Sequence, residues 1–128
     1  MVHRAAAALL AAGLATGCQE DTLRVASVQV GRTLNSDNSV GIHTTSFKPE
    51  DTMQAAVITE GRGKATIVAR WSYGGRVVNE TSKDVSYTDH AATEFHLQPS
   101  GAFPPGEYTL DIIYNGQPLE TRSLRVAQ

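Results

Sequence analysis

The sequence predicts an all-β chain: one antiparallel sandwich of about seven strands over residues 23–128, behind a cleaved N-terminal leader. Three observations carry this. Side-chain character alternates with period two, not 3.6, from Leu23 onward, and no amphipathic helix follows the leader. Gly74-Gly75 and Asn115-Gly116 stand as two-residue turns between apolar runs, where the positive φ of a tight hairpin is needed. Residues 18–128 suit one small sandwich of about 100 residues and are too few for two domains.

Met1-Val2-His3-Arg4 is a short basic start, Ala5–Leu14 is unbroken apolar sequence, and Ala15-Thr16-Gly17 are small residues before Cys18. This is the layout of a secretory signal peptide, with a cut after residue 17. The apolar run gives way to Cys18-Gln19-Glu20-Asp21, short of the ~20 residues that a membrane-spanning helix requires. Leu14-Ala15-Thr16-Gly17-Cys18 resembles the lipobox of bacterial lipoproteins. That resemblance implies acylation of Cys18, residues 18–22 as a short tether, and a bilayer as the first partner. Gln19 is not the Asp that retains such proteins at an inner membrane, so the resemblance implies the outer membrane in a host that has two. Ala15-Thr16-Gly17 also satisfies the small-x-small rule of ordinary signal peptidase. Cleavage there would instead release a secreted, non-lipidated binding domain beginning at Cys18.

Along the body, Val25–Val30 and Gln54–Thr59 are strands of modest contrast, and the alternation of the first slips a phase, as a bulge would make it. Thr33–Asp51 is the longest weakly patterned stretch, and is either a functional loop or a short edge strand. Ala65–Tyr73 is the clearest strand, with Ala65, Ile67, Ala69, Trp71 and Tyr73 against Thr66, Val68, Arg70 and Ser72. Arg76–Val85 follows Gly74-Gly75; then Phe95 and Leu97 alternate with Glu94 and His96. Ser100–Gly106, holding two prolines and two glycines, crosses over rather than continuing a strand. In Glu107–Tyr114 the residues Tyr108, Leu110, Ile112 and Tyr114 share a face, and Leu119–Val126 closes the chain with a second phase slip.

Pro105-Gly106-Glu107-Tyr108, Asn115-Gly116 and Leu124-Arg125-Val126 are similar to the last strand pair of bacterial extracytoplasmic immunoglobulin-like domains. Phe47-Lys48-Pro49-Glu50-Asp51-Thr52 with Trp71 resembles small lipoproteins of the same kind. The resemblance implies an immunoglobulin-like or fibronectin type III-like sandwich in the cell envelope, and it brings no catalytic or binding residues with it.

The chemistry is sparse. The net charge of −2 becomes −3 once Arg4 leaves, and the cations are scattered, which excludes a nucleic-acid footprint. Cys18 is the single cysteine, so no intrachain disulfide is available. His43, His90 and His96 lie far apart without the close pairing typical of zinc ligands. Glu50-Asp51 reads as a turn ahead of a strand, and Trp71, Tyr73, Tyr108 and Tyr114 read as core, their hydroxyls meeting partners at the sandwich ends. No catalytic residue, cofactor or metal ligand is nominated. The expected function is that of a membrane-anchored, non-enzymatic binding or structural module whose partner is an envelope protein or glycan. The alternative in a different class is an envelope metal-binding protein using His43, His90 and His96.

Overall fold

A computed structural model describes residues 22–128, so the leader, Cys18 and most of the tether lie outside the described residues. Eight strands form two layers. Strands β1 (Arg24–Gly31), β3 (Met53–Glu60) and β6 (Ala91–Leu97) make one sheet, in the order β1-β3-β6. The other sheet runs β2-β8-β7-β4-β5, from β2 (Ser46–Phe47), β8 (Gln117–Val126), β7 (Gly106–Tyr114), β4 (Gly63–Tyr73) and β5 (Arg76–Tyr87). The expected immunoglobulin-like, fibronectin-like sandwich is therefore the fold, with one strand more than the sequence patterning resolves. Hairpins join β4 to β5 and β7 to β8, while the links β3–β4, β5–β6 and β6–β7 cross between layers.

The strongest alternations are the strands that form the core. Ala65, Ile67, Ala69 and Trp71 of β4 and Tyr108, Leu110 and Ile112 of β7 are buried, facing Val57, Phe95 and Leu97 from the opposite layer. Each strand presents every second side chain inward, so the two layers interdigitate into a single main core. Tyr108 lies at the start of β7, and its hydroxyl donates to the Pro104 carbonyl four residues upstream at 2.8 Å. That is the corner by which sandwiches of this class clamp the chain as it enters this strand.

Both expected phase slips are bulges: one between Val25 and Ser27 in β1, one opposite Ile112–Ile113 where Leu119 is extra in β8. A third, in β5 opposite Trp71–Ser72, leaves Val78 as the extra residue.

The Thr33–Asp51 segment is both a loop and an edge strand. Ser46–Phe47 pairs in parallel with β8, the one parallel strand pair among the described residues, where the isolated Thr22–Arg62 bridge is also parallel. Residues 32–45 fold back over the outer face of the three-stranded sheet, with Leu34 bridged to Val40 and Gly31 to His43. Val40 is buried there against Ala56 and Ile58, beside Leu34 and Ala92. This flap explains why Gln54–Thr59 patterns weakly: β3 is covered on both faces and reads as a continuous apolar run rather than an alternating one.

Candidate functional site

The register sorts the loops to two poles. Leu23 donates its N–H to the Arg62 carbonyl, and Arg24 stands opposite Glu60, so the chain enters beside the β3–β4, β5–β6 and β7–β8 turns. The opposite pole carries the β4–β5 hairpin tip at Gly74-Gly75, the 98–105 connection and the end of β8.

Between the layers run two lateral seams, and an inward cation closes each over part of its length. On one side Arg122 of β8 donates to the Val28 carbonyl of β1 at 2.8 Å. On the other Lys83 of β5 donates to the Glu94 carbonyl of β6, pairs with the Glu94 carboxylate at 3.4 Å, and sits 4.9 Å from the centre of the Phe95 ring. His96 donates from Nδ1 to the other Glu94 oxygen. Burial raises the Glu94 pKa, but the His96 hydrogen bond and the charges of Lys83 and His96 outweigh it and hold the carboxyl below its ordinary range.

Beyond Lys83 this second seam opens. From Thr81 to Tyr87 the inward residues of β5 are half-buried, whereas Arg76–Glu80 is exposed at every position. The bulge turns Val78 inward instead of leaving it on the outer face, where it lines the mouth of a cleft; Arg76 lines an adjoining depression that shares Tyr73 and Val78 with it. Leu97 and Pro99 form the facing wall, and Tyr73, Phe103 and Tyr108 form the floor, enclosing about 370 Å³. The floor is built rigidly. The Tyr73 and Tyr108 rings lie 4.5 Å apart, Phe103 meets Tyr108 edge-on at 5.5 Å, and Tyr73 donates to the Pro105 carbonyl at 2.8 Å. Burial, with a smaller contribution from Tyr73, pushes the Tyr108 hydroxyl above the usual tyrosine range.

Two other depressions are as large, about 400 Å³ beside Lys64, Asp84 and Asn115 and about 410 Å³ beside Arg70, Asp111 and Thr121. Several of their polar groups are already engaged with one another, as Thr66–Asp84, Arg70–Glu80 and Thr121–Asp111 pairs. The seam cleft differs in being mainly apolar with a few polar groups at its rim, the usual composition of a binding pocket. Its lining contains no carboxylate and no imidazole, and both tyrosine hydroxyls are spent on backbone carbonyls. The arrangement offers contact and shape rather than proton transfer.

The structure does not bring His43, His90 and His96 together. His90 stands in the β5–β6 turn and His96 six positions along the next strand, about 20 Å away at a strand's rise. His43 is bridged to Gly31 of the edge strand β1, whereas His96 lies on β6 at the other edge of that sheet. Among the described residues no three His, Cys, Asp or Glu side chains converge on one point. Glu50-Asp51 is the expected turn, its Asp51 carboxylate accepting the Lys48 N–H at 2.7 Å. The tyrosines are likewise part of the core and reach their partners at the ends; Tyr114 donates to the Leu23 carbonyl at 3.2 Å. The buried Trp71 Nε1 has no partner among the described residues. The cleft itself is not apparent from sequence reasoning. Its one signal is the adjacent pair Val77-Val78 within a mostly polar strand, which blurs the alternation where the bulge falls.

No protein-family model matches the chain, and no curated protein matches it in sequence. Solved structures share its fold. A β-glucosidase from Listeria innocua in complex with glucose aligns with 84% of this chain at a TM-score of 0.56 and 11% identity. A β-glucosidase involved in saponin metabolism from intestinal bacteria aligns with 84% at a TM-score of 0.53 and 16% identity. The match spans only 16% of the length of either enzyme. At such identities the likeness shows the fold alone.

Proposed function

We propose that this chain is a non-enzymatic recognition module of the bacterial cell envelope, held to a membrane by lipid on Cys18. The observation that carries the reading is polarity: the chain enters at one pole and the apolar cleft opens at the other. Cys18 precedes Thr22 by four residues, which reach at most about 14 Å when extended. Strand β4, with 11 residues, spans about 36 Å between the poles. A lipid anchor at Cys18 thus sets one pole against the headgroups and displays the cleft some 35–50 Å above them. Tethering raises the effective concentration of the cleft toward partners on the same surface and makes weak contacts sufficient.

A protein partner is favoured over a glycan. All eight aromatic residues lie within the described part, and none is exposed, so no ring is free to stack on a sugar as a surface platform. The likeness to β-glucosidase structures supports a role for this sandwich as an accessory unit and brings no catalytic residue. A secreted, non-lipidated domain is the second reading, favoured by the small-x-small residues Ala15-Thr16-Gly17.

The test is intact mass and membrane partitioning of the expressed protein beside Cys18→Ala. A lipid mass increment at Cys18, with release to the soluble fraction on substitution, is the expected result. An unmodified soluble protein beginning at Cys18 would overturn the anchor and leave the secreted module.

A further inference from the structure

We infer that the open half of the β5–β6 seam is a slot for one added strand: an extended segment of a partner protein carrying a Leu-x-Glu pattern or its chemical equivalent. The inference rests on the module reading above and names its partner class.

Two features specify an extended backbone as the occupant. Strand β5 is the last of its sheet, so one side of Arg76–Glu80 presents N–H and C=O groups with no strand beside them. Strand β6 ends the other layer on the same side, which makes the seam a gap flanked by two strand edges. In immunoglobulin sandwiches of constant type, the strand after the third joins the sheet of β1, β3 and β6; here β5 stays with β4, and that place is left unfilled. The lower half of the gap is occupied by the Lys83 side chain, tied to Glu94. An inward charge on an edge strand blocks pairing there. The upper half has no cation tied across the gap: Arg76 there has no carboxylate partner among the described residues. This half exposes Val77 and Val78 at 50% and 49%, side by side on an edge, an arrangement that invites pairing.

The side-chain pattern follows from what faces the cleft. A strand laid along β5 directs alternate side chains inward, toward Val78, Leu97 and Phe103, where about 370 Å³ admits a leucine-sized group. Two residues farther along the same face, the incoming chain meets Arg76, exposed and with no carboxylate partner among the described residues. Opposite charges on facing strand positions are favourable, so the matching residue is acidic. Main-chain bonds supply the general affinity, and the pocket with Arg76 supplies the selection.

The probe is a synthetic acetylated, amidated heptapeptide, Thr-Val-Thr-Leu-Thr-Glu-Thr, added to the purified full-length protein and followed by amide hydrogen exchange. The expected result is slowed exchange confined to Arg76–Glu80, with the apparent dissociation constant raised at least tenfold by Val78→Asp. Val78 is half exposed, so this variant keeps the fold, and circular dichroism checks that it does. Arg76→Glu should reject this peptide and accept the version with Lys in place of Glu. Replacing the peptide's Leu by Pro, which removes both the anchor and an N–H, should abolish the effect. Unchanged exchange at Arg76–Glu80, or slowing only at β1 or β6, would overturn the slot. Slowing that grows with protein concentration in the absence of peptide would name a second copy of the chain as occupant, and would overturn it too. These outcomes are independent of the mass at Cys18. A lipidated chain that fails here remains an anchored module with its contact elsewhere, and an unlipidated chain that succeeds remains a strand receptor.

Discussion

Replacing Tyr108 by Phe removes one oxygen from the core and leaves every ring contact in place, so its cost reports a single hydrogen bond. The residue is buried at 2% exposure, its ring packs on Tyr73 and Phe103, and its hydroxyl donates to the Pro104 carbonyl at 2.8 Å. Pro104 and Pro105 have no N–H, so this stretch of the β6–β7 connection can be held through main-chain hydrogen bonds only by its carbonyls. Tyr108 takes one and Tyr73 the next. A net loss of about 1 kcal/mol is expected for Tyr108→Phe, since Pro104 is exposed enough for water to replace part of the bond. Tyr73 is less buried, and Tyr73→Phe should cost about half as much. Urea unfolding followed by the fluorescence of Trp71, the single tryptophan, measures both. The Tyr108→Phe midpoint should fall by about 0.5–1 M with the slope unchanged. The double variant should exceed the sum by at least about 0.5 kcal/mol, because either tyrosine alone still holds the loop. A Tyr108→Phe protein as stable as the wild type would refute the clamp, and strict additivity would refute the shared loop.

Gly31→Ala tests the flap. A Cβ there would lie 2.0 Å from the Ile42 carbonyl oxygen and 2.5 Å from a Val40 methyl, so the loop must lift. The expected cost is about 2 kcal/mol, with faster amide exchange over residues 33–44 and little change in β4 or β7; uniform acceleration would count against it. Glu94→Gln tests the seam lock through pH. The folded carboxyl is held below its ordinary 4.5, so its contribution is complete above that value and is lost as pH falls through the lowered one. The stability gap between wild type and variant should therefore be widest near neutrality and shrink toward pH 3, read as urea midpoints. A gap that widens on acidification would show that Lys83 and His96 do not stabilise the carboxylate.

What was legible in the sequence is what one-sided burial writes there. Ala65–Tyr73 and Glu107–Tyr114 each have one wet face and one dry face, so their alternation is clean and their inward residues are the buried ones. Val25–Val30 and Leu119–Val126 betrayed their bulges because an extra residue shifts the phase of everything after it. Gln54–Thr59 was harder because the flap dries its second face, and nothing local announces that Val40 lands on Ala56 and Ile58. The cleft was not legible for a related reason. It is made where β5 parts from β6, two strands in different layers, and no periodicity within either strand records that separation. The separation of His43, His90 and His96 was hidden on the same ground: three histidines on one chain say nothing about distance until strand order is known.

The two seams of the sandwich show why the open half is the place to look for a partner. A sandwich has unavoidable edges, and unpaired edges attract other chains unless something blunts them. One seam is bridged by Arg122 reaching the β1 carbonyl of Val28, and its outer sheet is lengthened by the short parallel strand Ser46–Phe47. The other is bridged by Lys83 reaching Glu94, but only along its lower half. Had the whole of β5 lacked a bridge, the exposed valines would read as a defect tolerated at a sheet end. With the gap bridged along one half of a strand and left unbridged along the other, the bulge at Val78 acquires a purpose, since it turns an apolar side chain from the sheet's outer face into the cleft. The unbridged stretch lies at the pole farthest from Leu23, where a bilayer at the other end would not obstruct it. Bridged near the proposed anchor and open away from it, β5 is arranged to meet an extended chain presented from outside.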